Sequence, residues 1–385
     1  MIFGTLMALL LMLSMQLPLL NQPSTSTTAL ASVAVPAATR IAWPSVGSAA
    51  LVIPALGYEG AWHDTTVPIA SLTKLMTAYV VLQKLPLVNG ATGPCMTITA
   101  NDVLYYDTIK ASGQSSAAVA TGEVLCESTL LDGLLVHSAN NFAVLLAAMT
   151  SGSTPAFVAE MNAQALALGL THTHYADPAG YDPNSVSTAL EQGRLASILM
   201  KSALVRSIVD QSSVTLPVAG TLGSYTPFVG VDNVVGVKSG RTDAAGGCDV
   251  MAMTFVLDGQ VQVAYAVILG ARGGDLLGPA GDEALALERS VLNSERSLNL
   301  PAGTVVGTLG WGSRRTDVVL KSALSLKWFT ALHTANVTLL IDRERVTVSP
   351  GQVVGWFSVD EGSAHRVALT VAHRVTPESL LERLR

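Results

Sequence analysis

The stretch VPIASLTKLMTAYVV, residues 67–81, decides how the rest of the chain is read. Its apolar residues run on at helical spacing through LTKLMTAYVVLQKL (72–85), so a helix is expected to begin near Ser71. Ser71 and Lys74 stand three apart at its start and therefore share one face. A helix start also offers unpaired backbone N–H groups, which favour developing negative charge. A serine hydroxyl is a weak nucleophile until a neighbouring base takes its proton. Lysine can do that only where burial or a second cation lowers its pKa by several units. Alone, the pair reads equally well as a helix cap followed by a solvated lysine.

Two further stretches carry polar residues where the pattern is otherwise apolar. GLLVHSANNFAVLLA (133–147) places Ser138 and Asn140 inside a strongly hydrophobic run, and LLDGLLVHSANNFAVLLAAM (130–149) reads as one helix. A buried hydroxyl and amide need partners, either structural or catalytic. NVVGVKSGRTDAAGGCDVMAMTFV (233–256) leads a valine-rich strand into Lys238, Ser239 and Gly240, and a second strand follows the glycine-rich turn. A lysine and a hydroxyl on a strand edge can hold a carboxylate, and the glycine lets a ligand approach the backbone. The plain alternative is a hairpin with a polar edge.

Around these stretches the chain is 385 residues long, which corresponds to about two or three domains. Only one apolar run, IFGTLMALLLMLSMQLPLL (2–20), is long enough to cross a bilayer, which excludes a multi-span membrane protein. Charged residues are 13 % and the formal net charge is -6, with no Lys or Arg block, so nucleic acid is not an expected partner. The run 2–20, the small-x-small site Ala29-Leu30-Ala31 and a first charge only at Arg40 make residues 1–40 a signal peptide or N-terminal membrane anchor plus linker. The protein is then extracytoplasmic, secreted to the cell wall or held at the outer face of the cytoplasmic membrane, with membrane association through that segment. Disulfides persist there. Cys95 and Cys126 flank one excursion and either pair or remain two buried thiols; Cys248 is left as a small packed hydrophobe.

Between residues 41 and 296, strand-like runs such as SAALVIPALG (48–57) and GQVQVAYAVILG (259–270) alternate with helical ones, and GDEALALERSVLNSERS (281–297) closes the region as a polar helix. From 297 to 385 the pattern is β only: TVVGTLGW, TDVVLKSALSLKWF, NVTLLI, RVTVSPGQVVGWFSV and HRVALTVAH. Short strands without helices indicate a separate small all-β sandwich.

Taken in order, SLTK, SAN and KSG match the S-x-x-K, S-x-N and K-[TS]-G elements of penicillin-recognising serine enzymes. With PIASLTKLMTA, HYADPAGYDPNSVSTA and KSGRTDAAGGC around them, residues 41–295 resemble the D-alanyl-D-alanine carboxypeptidases among the low-molecular-weight penicillin-binding proteins. The resemblance implies an α/β (α+β) penicillin-binding and β-lactamase-like catalytic domain. That domain is a sheet flanked by helices with a helical subdomain, and a β-rich domain follows it. It implies Ser71 as acylated nucleophile, Lys74 as general base, Ser138 as proton shuttle to the leaving D-alanine, and Asn140 as orienter of substrate amide and lysine. Lys238, Ser239, Gly240, Arg241 and Thr242 would form the substrate-binding strand, with the N–H groups of Ser71 and Arg241 as oxyanion hole. The implied partners are a peptidoglycan stem peptide ending in D-Ala-D-Ala and β-lactam antibiotics as covalent inhibitors, with no cofactor and no metal. His172, His174 and Asp177 fall in the family's Y-A-D-P-A-G-Y-D turn and lack a third histidine, so they are read as structural.

Three positions depart from the family pattern: serine in the middle of K-S-G, Asn141 where an acid is commoner, and Arg241 where an aromatic or histidine is usual. Arg272 is a weaker carboxylate-binding candidate, and VTPESLLERLR at the end is too short for a firm membrane anchor. Two other readings remain: a serine β-lactamase, for which no glutamate motif activating the deacylating water is recognisable, and a catalytically idle penicillin-binding or wall-scaffold protein.

Overall fold

The computed structural model describes residues 24–26, 39–88, 90–311, 313–333, 335–341, 347–360 and 364–376. The apolar run at residues 2–20 lies outside them. Two compact units result, one spanning Ala42–Arg289 and the other built on Ser290 onward.

The first unit is organised by a five-stranded antiparallel sheet. Its strands are β1 (Ser48–Ile53), β2 (Tyr58–Trp62), β3 (Val234–Thr242), β4 (Gly246–Leu257) and β5 (Gln260–Ala271), in spatial order β3-β4-β5-β1-β2. The strands are nearly continuous in Val, Ala, Ile and Met because both sheet faces are covered. On one face Cys248, Val250, Ala252, Val267 and Leu269 join the main core. Through Glu288 on α8 (Leu277–Leu292), whose Oε1 accepts a bond from Ala266 N at 3.0 Å, that helix is tied to the sheet.

Helix α1 (Thr73–Lys84) is the centre of the helical layer, and eight of its twelve residues are buried, Lys74 among them. A helix buried all round needs no single apolar stripe, which is why its sequence looks apolar rather than amphipathic. Around it stand α3 (Glu127–Leu135), α4 (Asn140–Ser151), α5 (Thr154–Ala167) and α6 (Ala189–Leu199). Residues 130–149, expected as one helix, are two: Ser138 takes φ 60°, and Ala139, in an extended conformation, is the N-cap of α4. The break turns the Ser138–Asn140 corner toward the sheet instead of spending those polar groups on a helix exterior.

Between the short strands Cys95–Thr97 and Val124–Cys126 runs an excursion that contains α2 (Ala100–Ala111). Thr99 and Asp102 close the start of α2 as a reciprocal capping box. Cys95 and Cys126 face each other in register and form a disulfide, closing a loop of sequence separation 31. Cys248 is free and buried.

Among the described residues the second unit is β, apart from the end of α8. Val305–Trp311, Arg314–Leu320, Asn336–Ile341, Gly355–Asp360 and Ala364–Val371 form one antiparallel sheet with the short strand Ser24–Ser26, and Glu295–Leu300 pairs with Leu324–Phe329 in a second. The run TDVVLKSALSLKWF is therefore two strands in different sheets, divided at Lys321–Ala323. Trp311, Trp328, Phe357, Val306, Leu320 and Leu369 make its core.

Candidate active site

The site forms where the N-terminal end of α1 meets the edge strand β3 and the α3–α4 corner. Ser71 sits in a 3-10 turn, Ala70–Leu72, just before α1, and Ala70 holds φ 48°, a conformation an alanine adopts only when its surroundings impose it. Two glycines explain how closely the pieces approach. A Cβ on Gly240 would stand 2.6 Å from Ser71 N, so β3 runs directly against the turn. One on Gly180, at φ 80°, would stand 1.8 Å from Ala70 O.

Lys74 is fully buried, and its Nζ has three oxygen neighbours: Ser71 Oγ at 2.8 Å, Asn140 Oδ1 at 2.7 Å and Ala179 O at 2.7 Å. The amide oxygen and the backbone carbonyl can only accept. A neutral amine would thus direct both N–H bonds at them and leave its lone pair facing the Ser71 hydroxyl. As an ammonium the same nitrogen would donate to all three. A proton can therefore pass along the Ser71–Lys74 contact with no rearrangement of heavy atoms. Burial holds the Lys74 pKa well below its ordinary value, the Lys238 cation lowers it further, and Asp177 opposes both.

Asp177 owes its place to the turn it closes. Its Oδ1 accepts from Ala179 N at 2.6 Å and from Gly180 N, and its Oδ2 from Asp182 N at 2.5 Å. Thr77 on α1 donates to Pro178 O at 2.6 Å, tying the turn to the helix and presenting Ala179 O to Lys74. This carbonyl is a partner that sequence reasoning missed; its only signal was the Asp-Pro-Ala-Gly turn chemistry. Of the two histidines nearby, His172 pairs with Glu191 through Nδ1 at 3.0 Å, and His174 pairs its backbone with Val186. Among the described residues no cluster of three or more His, Cys, Asp or Glu is arranged for a metal ion.

A cleft of about 590 Å³ opens over the turn and is lined by Ser71, Ser138, Asn140, Ser239, Gly240, Arg241 and Thr242, together with Gln114, Ser115, Tyr181 and Tyr225. All of the expected site residues but Lys74 and Lys238 reach its surface; those two amines lie beneath it. Lys238 is fully buried with Nζ donating to Ser239 O at 2.7 Å. Burial brings its pKa down to about 7 against the Asp249 carboxylate, and burial raises Asp249 well above the usual range against the Lys238 cation. Ser239 Oγ donates to Tyr225 O at 2.7 Å, and Thr242 Oγ1 accepts from Ala245 N at 3.0 Å. Arg241 reaches across the cleft rim and donates to Asp275 O at 3.0 Å. Arg272 does not line the cleft.

The model of the D-alanyl-D-alanine carboxypeptidase family matches residues 58–273, more than half of the chain. The chain belongs to that family. Among curated relatives of the D-alanyl-D-alanine carboxypeptidase family it is 34 % identical over 206 residues to a D-alanyl-D-alanine endopeptidase of Pseudomonas aeruginosa, covering 50 % of this chain and 61 % of that protein. It is 30 % identical over 209 residues to the D-alanyl-D-alanine carboxypeptidase DacA of Escherichia coli, covering 52 % of this chain and 50 % of that one. The chain thus spans about half to three fifths of the length of these relatives. In fold it is similar to penicillin binding protein 5 from Haemophilus influenzae, with TM-score 0.59 and 21 % identity over 89 % of this chain and 98 % of that one. The family's fold, a mixed helix-and-sheet domain followed by a β-rich one, is the fold described above.

Proposed function

We propose that this protein is a serine D-Ala-D-Ala carboxypeptidase that removes the terminal D-alanine from peptidoglycan stem peptides outside the cytoplasmic membrane. The observation that carries the reading is the Lys74 amine, buried and held by two acceptor-only oxygens with its remaining contact on Ser71. Residues 41–296 are the catalytic domain in this reading, and 297–385 an appended β-rich domain.

Ser71 Oγ attacks the carbonyl of the penultimate D-alanine while its proton passes to Lys74 Nζ. The developing oxyanion is met by the N–H groups of Ser71 and Arg241, a pairing supported by the close approach of Gly240, the residue before Arg241, to Ser71 N. As the C–N bond breaks, the leaving amine takes a proton through Ser138, which lines the cleft. Water then cleaves the ester and restores Ser71. Asn140 orients both the lysine and the substrate amide. The K-S-G strand faces the terminal carboxylate: Lys238 supplies charge from beneath, and among the described residues Arg241 is the only Lys or Arg in the cleft lining. Penicillins, whose strained amide and carboxylate imitate the same end, acylate Ser71.

Two measurements test the reading. Fluorescent penicillin should label the protein persistently, and Ser71→Ala should abolish the label. Diacetyl-Lys-D-Ala-D-Ala should release D-alanine. Rapid penicillin turnover without adduct would point to a β-lactamase instead, and stable labelling without D-alanine release to an idle scaffold. A second reading, an endopeptidase that cuts D-alanyl cross-links, is favoured by the 34 % identity to the Pseudomonas relative. Cleavage of a cross-linked dimer in preference to the tripeptide would establish it.

A further inference from the structure

Nothing in the mechanism above says why the Asn140 carboxamide keeps its oxygen toward Lys74. An asparagine amide is nearly symmetric in shape, and turned over it would present NH2 to the lysine. A chain of hydrogen bonds on the other side of Asn140 removes that freedom. Ile109 O, at the end of α2, can only accept, and Ser112 Oγ donates its single proton to it at 2.8 Å. The Ser112 oxygen is left as an acceptor and receives Gln114 Nε2 at 3.1 Å. Gln114 must then turn its Oε1 to Asn140, whose Nδ2 donates to it at 2.8 Å. The Asn140 oxygen is thereby committed to Lys74 Nζ at 2.7 Å. The donor directions agree with one another from end to end, from the Ile109 carbonyl, which also accepts from Gln114 N at 3.1 Å, to the Lys74 amine.

We propose that Gln114, polarised by Ser112, is a positioning residue that locks the Asn140 carboxamide with its oxygen on Lys74 and so keeps the lysine lone pair on Ser71. The inference rests on the reading of Lys74 as the base. An inverted amide would donate to Lys74, favouring the neutral amine while capturing the lone pair that Ser71 needs. The other charged groups acting on Lys74, Lys238 and Asp177, belong to other segments and stay in place.

The test is stopped-flow acylation by fluorescent penicillin across pH, on the full chain, with thermal melting as a check on folding. Gln114→Met should lower the plateau rate by up to about 100-fold and move the acid limb to lower pH. Ser112→Ala should slow acylation less, and should have no further effect in the Gln114→Met background. Gln114→Glu, which keeps an acceptor for Asn140, should recover most of the plateau, with its limb at higher pH because a carboxylate favours the ammonium. Should Gln114→Met not fold, Ser112→Ala and Gln114→Glu carry the same comparison. A wild-type rate and limb in Gln114→Met, additive losses in the double variant, or no recovery with glutamate would overturn the proposal. A wild-type protein that penicillin does not acylate would instead overturn the carboxypeptidase reading.

Discussion

The two units bury different things. In Ala42–Arg289, Lys74, Glu127, Glu191, Lys238, Asp249 and Glu288 are all within a few per cent of complete burial. From Ser290 onward the buried polar side chains among the described residues are the hydroxyls of Ser294, Thr316 and Thr330. Ionisable groups are expensive to bury, and a fold retains them where their displaced pKa values or fixed bonds do something. The β-rich unit instead packs Trp311, Trp328 and Phe357 among Val and Leu, as a domain does when apolar burial alone holds it together. The first unit is shaped by its chemistry and the second by its core.

The sharpest way to break that contrast is Lys74→Met, which keeps the volume and removes the base. Penicillin acylation should fall by about 100- to 10,000-fold, while the second unit is untouched; a fall of less than tenfold would show that another group takes the Ser71 proton. Trp311→Ala is the converse experiment. It should destabilise the β-rich unit by about 3–5 kcal/mol in denaturant melts and leave the acylation rate of the remaining folded protein within roughly a factor of two. Loss of acylation in step with that unit's unfolding would show the two depend on one another.

Replacing Cys95 and Cys126 together by serine should cost about 3–4 kcal/mol of stability by loop-closure entropy, all of it in the first unit. Because the excursion it closes carries Gln114 and Ser115, which bond Asn140, the variant should also lower acylation at temperatures well below its melt. The smallest effect concerns pH. Acylation should rise with pH as Lys74 loses its proton, at a pKa well below the lysine norm. Lys238→Met removes a cation that repels the Lys74 ammonium, so the Lys74 pKa rises and the acid limb moves to higher pH. A limb that stays in place would show that burial alone sets Lys74.

Much of the site is legible in the sequence. Helical spacing puts Ser71 and Lys74 on one face, which is local geometry, and valine-rich runs mark β3 and β5; only the order of the three motifs sets the pair apart from a helix cap and a solvated lysine. The α3–α4 corner was not legible, because an apolar stretch on both sides of Ser138 reads as one continuous helix. What breaks it is a positive φ at Ser138, a tertiary demand that no propensity encodes. Gln114 was invisible for a related reason. Its role lies in a bond to Asn140 on α4, far along the chain, and an isolated glutamine in a loop looks like any solvated one.

The order of the polar motifs, the apolar runs of the core strands and the change to pure β pattern near residue 297 belong to the sequence alone, since each follows from spacing along one segment. Which oxygens surround the Lys74 amine, how far beneath the cleft Lys238 lies, and which way the Asn140 amide faces were decided only when four segments met. Short-range periodicity determines what a segment becomes. The direction of a hydrogen bond and the loss of water around a charge depend on neighbours that the chain brings together only by folding.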